Sequence, residues 1–261
     1  MFVLKKMSST LSQPILYSAD WAPNQLVNDL IDRKIQFQFT GNLFCQVCTK
    51  NTKKFFGEGF CYTCFMASSQ AAPCILRPEL CKGHLGEGRD PVWEEKNHNQ
   101  PHIVYLAQSD SVKVGVTRLT QVPTRWIDQG AKSAIYFAET PNRFEAGVLE
   151  VALKSFLTDK TNYKKMLQND IDESIDLIEE KWNVVDQLPL DLQTYVSEND
   201  AITELNYPVS KYPTHPNLIN LEKVGTFKGL VAGIKGQYLL FEGDFALNIR
   251  RHTGYEVKIS F

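Results

Sequence analysis

Four cysteines in two closely spaced pairs have the spacing of a structural zinc site. Two cysteines separated by two residues bring both thiolates to one cation on a tight turn, and two such turns complete the tetrahedron that Zn²⁺ takes. The lysines between the pairs favour the thiolate form. The alternative is that the cysteines stay reduced and pack as small apolar side chains. The segments CQVC and CYTC give C-x2-C-x12-C-x2-C across Cys45, Cys48, Cys61 and Cys64.

A second group of potential ligands follows in CILRPELCKGH. Cys74, Cys81 and His84 have the spacing C-x6-C-x2-H, and His98 or His102 is available as the fourth ligand. We predict a second zinc site at Cys74, Cys81, His84 and His98, the alternative being a loop held by packing alone. Both sites would be closed and structural, because a catalytic zinc keeps an open position and the chain has no H-E-x-x-H or H-x-E pattern.

The composition is that of a globular protein with unevenly distributed charge. The chain has 261 residues, 43% of them hydrophobic, and a formal net charge of −2. Residues 164–205 contain three Lys against eleven Asp or Glu, so the rest of the chain has an excess of basic residues. This excess permits a nucleic-acid partner without requiring one.

The apolar runs are too short to span a bilayer, and the N-terminal residues lack the apolar region of a signal peptide. We therefore expect no membrane partner and a cytoplasmic location. Because the cytosol keeps thiols reduced, the six cysteines are better explained by metal binding than by disulfides.

Short strands and helices must position these groups. HIVYLA, VKVGVTR and SAIYFAE have the composition of strands, and the helical segment QVPTRWIDQGA precedes the third. RFEAGVLEVALKSFL has apolar residues at helical spacing and predicts an amphipathic helix. KIQFQFTG alternates as a half-buried strand does, and the chain from residue 221 onward is β-rich, with turn signals at KGQ, EGD and HTG.

We therefore predict an α+β protein in four parts. Residues 1–41 supply N-terminal strands, which could pack with and complete a small C-terminal β-barrel or sandwich in residues 207–261. Residues 42–100 form a cysteine-rich, zinc-ribbon-like segment. Residues 101–206 form a small antiparallel sheet with flanking helices and an acidic helix.

The stretch IVYLAQSDSVKVGVT resembles the paired strands of the GIY-YIG endonuclease superfamily, in particular its compact phage-type branch. The resemblance covers roughly residues 101–167 and implies a GIY-YIG-like domain within residues 101–206. KVG stands where the family has YIG, so a lysine replaces the second signature tyrosine. The positions that match the family's site are Tyr105, Lys113, Arg125, Glu150 and Asn162.

The resemblance implies metal-dependent cleavage of a phosphodiester. Tyr105 would position or activate the water, Glu150 would bind Mg²⁺ or Mn²⁺, and Arg125 with Arg118 would hold the phosphate. Lys113 could contact phosphate, but it is not an equivalent base near neutral pH. Each residue also has an ordinary structural interpretation: a half-buried aromatic for Tyr105, a surface pair for Arg125 and a solvated helix face for Glu150.

The whole chain also resembles a bacterial family described as a domain of unknown function, through FCQVC…GFCYTCF, PTRWIDQGA and NIRRHTGY. Basic residues lie among aromatic ones in the C-terminal β segment, which suits stacking on single strands. One hypothesis is a zinc-containing nucleic-acid-binding protein with endonuclease activity. The second is a non-catalytic module that binds DNA, RNA or a ribonucleoprotein, and the third is a protein-interaction scaffold that docks through the acidic residues 170–180.

Overall fold

The computed structural model describes residues 1–157 and 162–261, and this part of the chain is a mixed α+β protein with several sheets. The predicted fold class is therefore confirmed. The chain divides into two compact units. The first contains residues 1–66, 127–130 and 205–261, and the second contains residues 67–126 and 131–204.

The strands and helices are short and are numbered here in chain order. The strands are β1 Phe2–Val3, β2 Ser8–Thr10, β3 Leu16–Ser18, β4 Lys34–Phe44, β5 Asn51–Thr52, β6 His102–Gln108, β7 Val112–Arg118, β8 Ser133–Thr140, β9 Thr203–Glu204, β10 Asn217–Leu218, β11 Thr226–Lys235, β12 Tyr238–Phe241, β13 Phe245–Asn248 and β14 Tyr255–Ser260. The helices are α1 Tyr62–Ala67, α2 Pro91–His98, α3 Thr124–Asp128, α4 Arg143–Leu153, α5 Tyr163–Gln168, α6 Leu177–Val185, α7 Leu190–Gln193 and α8 Leu221–Val224.

The first unit is built on one large sheet. Its strand order is β1-β14-β4-β11-β12-β13-β10, with β5 paired to the end of β4. The N-terminal strand β4 lies between the C-terminal strands β14 and β11 and is antiparallel to both. Successive side chains of β4 point to opposite faces of the sheet, and Ile35 and Phe37 are fully buried on one of these faces. The last two residues of β4 pair with β5, and Cys45 follows them directly.

The second unit is built on the antiparallel sheet β7-β6-β8-β9. One face of this sheet packs against α4 and α6 around a core that includes Val104, Leu106, Val114, Phe137 and Leu149. Successive side chains of a strand point to opposite faces, so Tyr105, Lys113 and Gly115 lie on the other face. The sheet thus separates two groups of predicted site residues.

Helix α4 connects this sheet to the cysteine-containing segment of the same unit. Asn142 caps the helix by accepting hydrogen bonds from the backbone N–H groups of Phe144 and Glu145. At Gly147 the helix approaches a neighbouring 3-10 turn, Pro78–Leu80, so closely that a Cβ would lie 2.1 Å from the backbone nitrogen of Glu79. Only glycine permits this approach, which sets the position of the segment that carries Cys74 and Cys81.

Candidate metal centres and the central sheet

The four-cysteine cluster (Cys45, Cys48, Cys61 and Cys64) is formed by two turns of the first unit. Cys45 follows β4, and its turn is closed by hydrogen bonds from Thr49 N–H to Cys45 O and from Cys45 N–H to Lys50 O, 2.9 and 3.0 Å long. Cys61 precedes α1, and Cys64 lies within that helix. A hydrogen bond of 2.8 Å from Gln46 N–H to Gly59 O joins the two turns. The predicted arrangement of two turns that face one another is therefore present.

The sulphur positions suit a tetrahedral metal ion. All four Sγ atoms lie within 4.8 Å of one another, and the Sγ atoms of Cys48 and Cys61 are 3.8 Å apart. Two thiolates at about 2.3 Å from a tetrahedral zinc are about 3.8 Å apart, whereas a disulfide requires about 2.05 Å. The cysteines are free thiols. The cluster can therefore bind a metal such as zinc without rearrangement of these turns.

The electrostatics of the cluster favour deprotonation at Cys45. Burial raises the pKa of the Cys45 thiol, but backbone N–H donors of Cys48, Cys61 and Val47 outweigh it and lower this pKa to about 6. Burial, together with hydrogen bonds to the other sulphurs, raises the pKa of Cys64 to about 12. Cys45 therefore loses its proton more readily than Cys64 does. A divalent cation would displace the remaining protons when it binds the sulphurs.

A second set of ligand atoms, the mixed cluster, consists of Cys74, Cys81, Glu94 and His98. These atoms lie within 4.8 Å of one another, and all four residues are buried. The Nδ1 atom of His98 is 3.4 Å from Cys81 Sγ and 3.5 Å from Glu94 Oε2. Hydrogen bonding with Cys74 lowers the pKa of Cys81 to about 4, against the effect of burial, and the same contact raises that of Cys74.

Glu94 was not recognised from the sequence, and the structure places His84 outside the mixed cluster. The ring of His84 stacks on Phe144, with 4.7 Å between centroids, and its buried Nδ1 has no partner among the described residues. His102, the other histidine considered, has Nδ1 directed to the carbonyl of Gln100 at 2.7 Å. The sequence feature that could have identified Glu94 is its i, i+4 spacing from His98, which puts both side chains on one face of α2.

On the central sheet, Tyr105 and Lys113 lie close to one another but are enclosed. Tyr105 is 1% exposed, and its ring lies across Gly115, where a Cβ would be 2.5 Å from the tyrosine hydroxyl. The amino group of Lys113 is buried, pairs with the carboxylate of Asp110, and donates to the hydroxyl of Ser109 at 2.7 Å. Burial raises the pKa of Asp110, but the bond and the charge of Lys113 lower it overall. Lys113 therefore stabilises the turn between β6 and β7 through these two contacts.

Arg118, Glu150 and Asn162 each make contacts of their own. Arg118, at the end of β7, bonds to the side chain of Asn97. Glu150 is buried on α4, which covers the opposite face of the sheet, and its Oε2 is 3.4 Å from Lys154 Nζ. Asn162 is exposed and caps α5 by accepting from two backbone N–H groups.

Arg143 is a charged residue of this region that the sequence did not single out. Its guanidinium donates to the carbonyls of Cys74 and Ile75 at 2.9–3.0 Å. Burial lowers the pKa of Arg143, the negative charges of Cys74, Cys81 and Glu150 raise it, and the charge of Arg125 lowers it. Glu150 and Arg125 are therefore each within electrostatic reach of Arg143, beside the mixed cluster.

The surface around the four-cysteine cluster combines exposed cations with aromatic rings. The amino group of Lys54 lies 4.8 Å from the centre of the Phe56 ring, and that ring lies 5.1 Å from the ring of Tyr62, which is 59% exposed. Arg250 reaches this hairpin through Glu58, at 3.6 Å. The exposed basic side chains of this basic aromatic surface are Lys50, Lys53, Lys54, Arg250 and Arg251.

In the part of the chain that the structure describes, no helix has both the length and the apolar character needed to cross a membrane.

The family model described as "Protein of unknown function (DUF2797)" matches residues 32–257, which is most of the chain. The chain belongs to that family, as the resemblance of the whole sequence predicted. Comparison with curated proteins and with solved structures gives no match. The resemblance to the GIY-YIG superfamily stays a prediction.

Proposed function

We propose that this member of the DUF2797 family is a zinc protein that binds single-stranded nucleic acid without cutting it. Zinc would occupy the four-cysteine cluster and fix the hairpin that presents the basic aromatic surface. The observation that carries the proposal is the exposed Tyr62 ring beside Phe56 and Lys54, directly next to the four sulphurs.

The surface has the two elements that single strands require. Exposed aromatic rings stack on bases without sequence preference, at about 1–3 kcal/mol per base, and cations contact the phosphates. Four thiolates and one Zn²⁺ carry a formal charge of 2−, which two of the five cations would offset. Of the other cations, Arg250 pairs with Glu58, which is the single carboxylate within residues 45–66.

The arrangement of the central sheet favours binding over cleavage. The order β7-β6-β8, with α4 on one face, supports a GIY-YIG-like domain. A nuclease of that type would need Tyr105 to reach the phosphate and Glu150 to hold Mg²⁺ or Mn²⁺ near it. Tyr105 is enclosed, Lys113 is paired with Asp110, and Glu150 lies on the helix that covers the other face.

Binding can be measured by fluorescence anisotropy with labelled single-stranded DNA and RNA, using the purified full chain at several salt concentrations. Affinity should fall with added salt, because phosphate contacts release counterions. The double variant Lys53→Ala/Lys54→Ala should reduce the slope of log K against log salt by about 1.4, or about 0.7 for each lost contact. Tyr62→Ala should weaken binding at every salt concentration.

The tandem lysines Lys164 and Lys165 provide a matched control, since both are exposed and lie in the other unit. Their double alanine variant should bind as the wild type does. Absence of binding at low salt, or equal effects of the two double variants, would refute the proposed surface.

A cleavage assay with Mg²⁺ or Mn²⁺ separates binding from catalysis. We expect intact DNA and RNA after incubation with the wild type. Cleavage that is lost in both Glu150→Ala and Arg125→Ala would show that the protein is an endonuclease and that the non-catalytic proposal is wrong.

A further inference from the structure

We infer that Cys74, Cys81, Glu94 and His98 bind a second metal ion, zinc by their donor set, at a site independent of the four-cysteine cluster and of the proposed nucleic-acid surface. The four ligand atoms converge within 4.8 Å, and each residue is at least nine-tenths buried.

The donor set selects the kind of ion. Two thiolates, one imidazole and one carboxylate are ligands that zinc takes in tetrahedral sites. Mg²⁺ and Ca²⁺ prefer sites made of oxygen atoms, and sulphur ligands disfavour both. The 3.4 and 3.5 Å separations at His98 Nδ1 are close to the edge of a tetrahedron around zinc, about 3.3–3.6 Å for its N, O and S ligands.

The backbone around Glu94 is built to direct its carboxylate inward. The N–H group of Arg89 donates to Glu94 Oε1 at 2.9 Å, which leaves Oε2 on the side of His98. A Cβ at Gly88 would lie 2.2 Å from this carboxyl group, so only glycine allows the loop to close over it. Helix α2 supplies Glu94 and His98 from one face, and Asp90 caps its start by accepting from the N–H of Trp93.

Backbone and side-chain contacts also position the two cysteines of the site. The N–H of Gly83 points to Cys81 Sγ at 3.5 Å, a backbone contact that stabilises a thiolate. A Cβ at Gly83 would lie 3.0 Å from the Cβ of His98, so a larger residue there would push the turn and α2 apart by a few tenths of an ångström. Cys74 is positioned by Arg143, which holds the carbonyl of Cys74 itself.

A cation would also balance the charge of the fully deprotonated ligands. Two thiolates and a carboxylate in a buried cluster would repel one another, and burial of unpaired charge is costly. A Zn²⁺ ion leaves a formal charge of 1−, and the guanidinium of Arg143 lies within electrostatic reach of both cysteines to offset it. A pocket of about 350 Å³ adjoins the cluster and is lined by Cys74, Glu94, Lys82 and Arg89 among others.

The wild-type protein tests the inference without any substitution. Native mass spectrometry of the full chain, purified without chelator, should count two zinc ions. Zinc X-ray absorption should be fitted by an average of three sulphurs and one nitrogen or oxygen per ion, because six thiolates and two lighter ligands are shared by two ions. One zinc per chain with four sulphurs would overturn the inference.

Substitutions locate the second ion. Glu94→Gln keeps the shape of the side chain and removes its charge, and it should weaken binding of one of the two ions by more than about tenfold, since loss of outer partners alone costs about 10–100-fold. Cys81→Ser should remove the same ion. His84→Ala is the matched control, because His84 is a neighbouring histidine outside the mixed cluster, and it should retain two zinc ions.

Equal zinc content in wild type, Glu94→Gln and Cys81→Ser would refute the site, as would loss of an ion in His84→Ala alone. These outcomes do not depend on nucleic-acid binding, which is measured separately on the basic aromatic surface.

Discussion

His102 should make the protein less stable as the pH falls from 8 to 5. Its side chain is fully buried at the start of β6. Nδ1 donates to the carbonyl of Gln100 at 2.7 Å, because a carbonyl can only accept. Nε2 is buried and, within residues 1–157 and 162–261, has no hydrogen-bond partner. Protonation of Nε2 would therefore bury a charge that nothing neutralises.

The magnitude follows from the pKa of His102. Burial lowers this pKa to about 4, and the charges of Arg143, His98 and Arg118 act in the same direction, while the bond to Gln100 opposes them. The folded value is below the unfolded one of about 6.5, so the unfolded chain binds the proton first as the pH falls. Stability is therefore lost from about pH 6.5 downward and reaches its full loss near pH 4. The loss is about 3 kcal/mol in total and about 2 kcal/mol by pH 5.

Urea unfolding of wild type and His102→Gln between pH 8 and pH 5 measures this effect. A glutamine amide can still donate to the Gln100 carbonyl but does not titrate in this range. The free energy of unfolding of the wild type should fall by about 2 kcal/mol more than that of the variant. Metal ligands and other titrating groups are common to both proteins, so the difference between them isolates His102.

His215→Gln supplies the control, because His215 is exposed. Between pH 8 and pH 5 this variant should lose more stability than His102→Gln does. Parallel curves for wild type and His102→Gln would refute the argument, since they would mean that the buried imidazole accepts a proton in the folded protein as readily as in the unfolded chain.

Two further substitutions test the packing of the second unit. Gly147→Ala should lower the free energy of unfolding by about 1–3 kcal/mol in urea, because the new Cβ would lie 2.1 Å from a backbone atom that must move. Lys181→Met should cost about 1–3 kcal/mol in the same assay, because the fully buried amino group donates to the carbonyls of Ser197 and Asn199, which would lose their partner. An unchanged urea midpoint in either variant would contradict the corresponding contact.

The four-cysteine cluster could be predicted from the sequence because each C-x2-C pair is local. Two residues between cysteines suffice to form the turn, and only the meeting of two turns depends on the fold. The alternating strand Lys34–Phe44 was predictable for a similar reason, since the period of two is visible along the chain.

The mixed cluster could be predicted only in part, because its ligands come from separate turns and a helix. The spacing C-x2-H from Cys81 to His84 resembles a metal-binding turn, but the His84 ring turns to Phe144 instead. Which face of α2 points to the cysteines depends on the Gly83 and Gly88 contacts, and no local pattern encodes those. The same limit applies to Glu150, whose place on a buried helix face depends on the approach of α4 to residues 78–80.

The two clusters explain how residues 42–100 can be ordered with few regular elements. The described core around Cys74 and Cys81 adds only Ala72, with Phe144 packed against it, so apolar burial there is small. A metal ion that joins distant parts of the chain can replace such a core, and metal binding in small sites is coupled directly to folding. One cluster belongs to each compact unit, so loss of zinc from one should destabilise that unit first.

The family match from residue 32 to residue 257 includes both clusters. A function that depends on exposed side chains held by metal is therefore more consistent with this molecule than one that depends on Tyr105, which the sheet encloses.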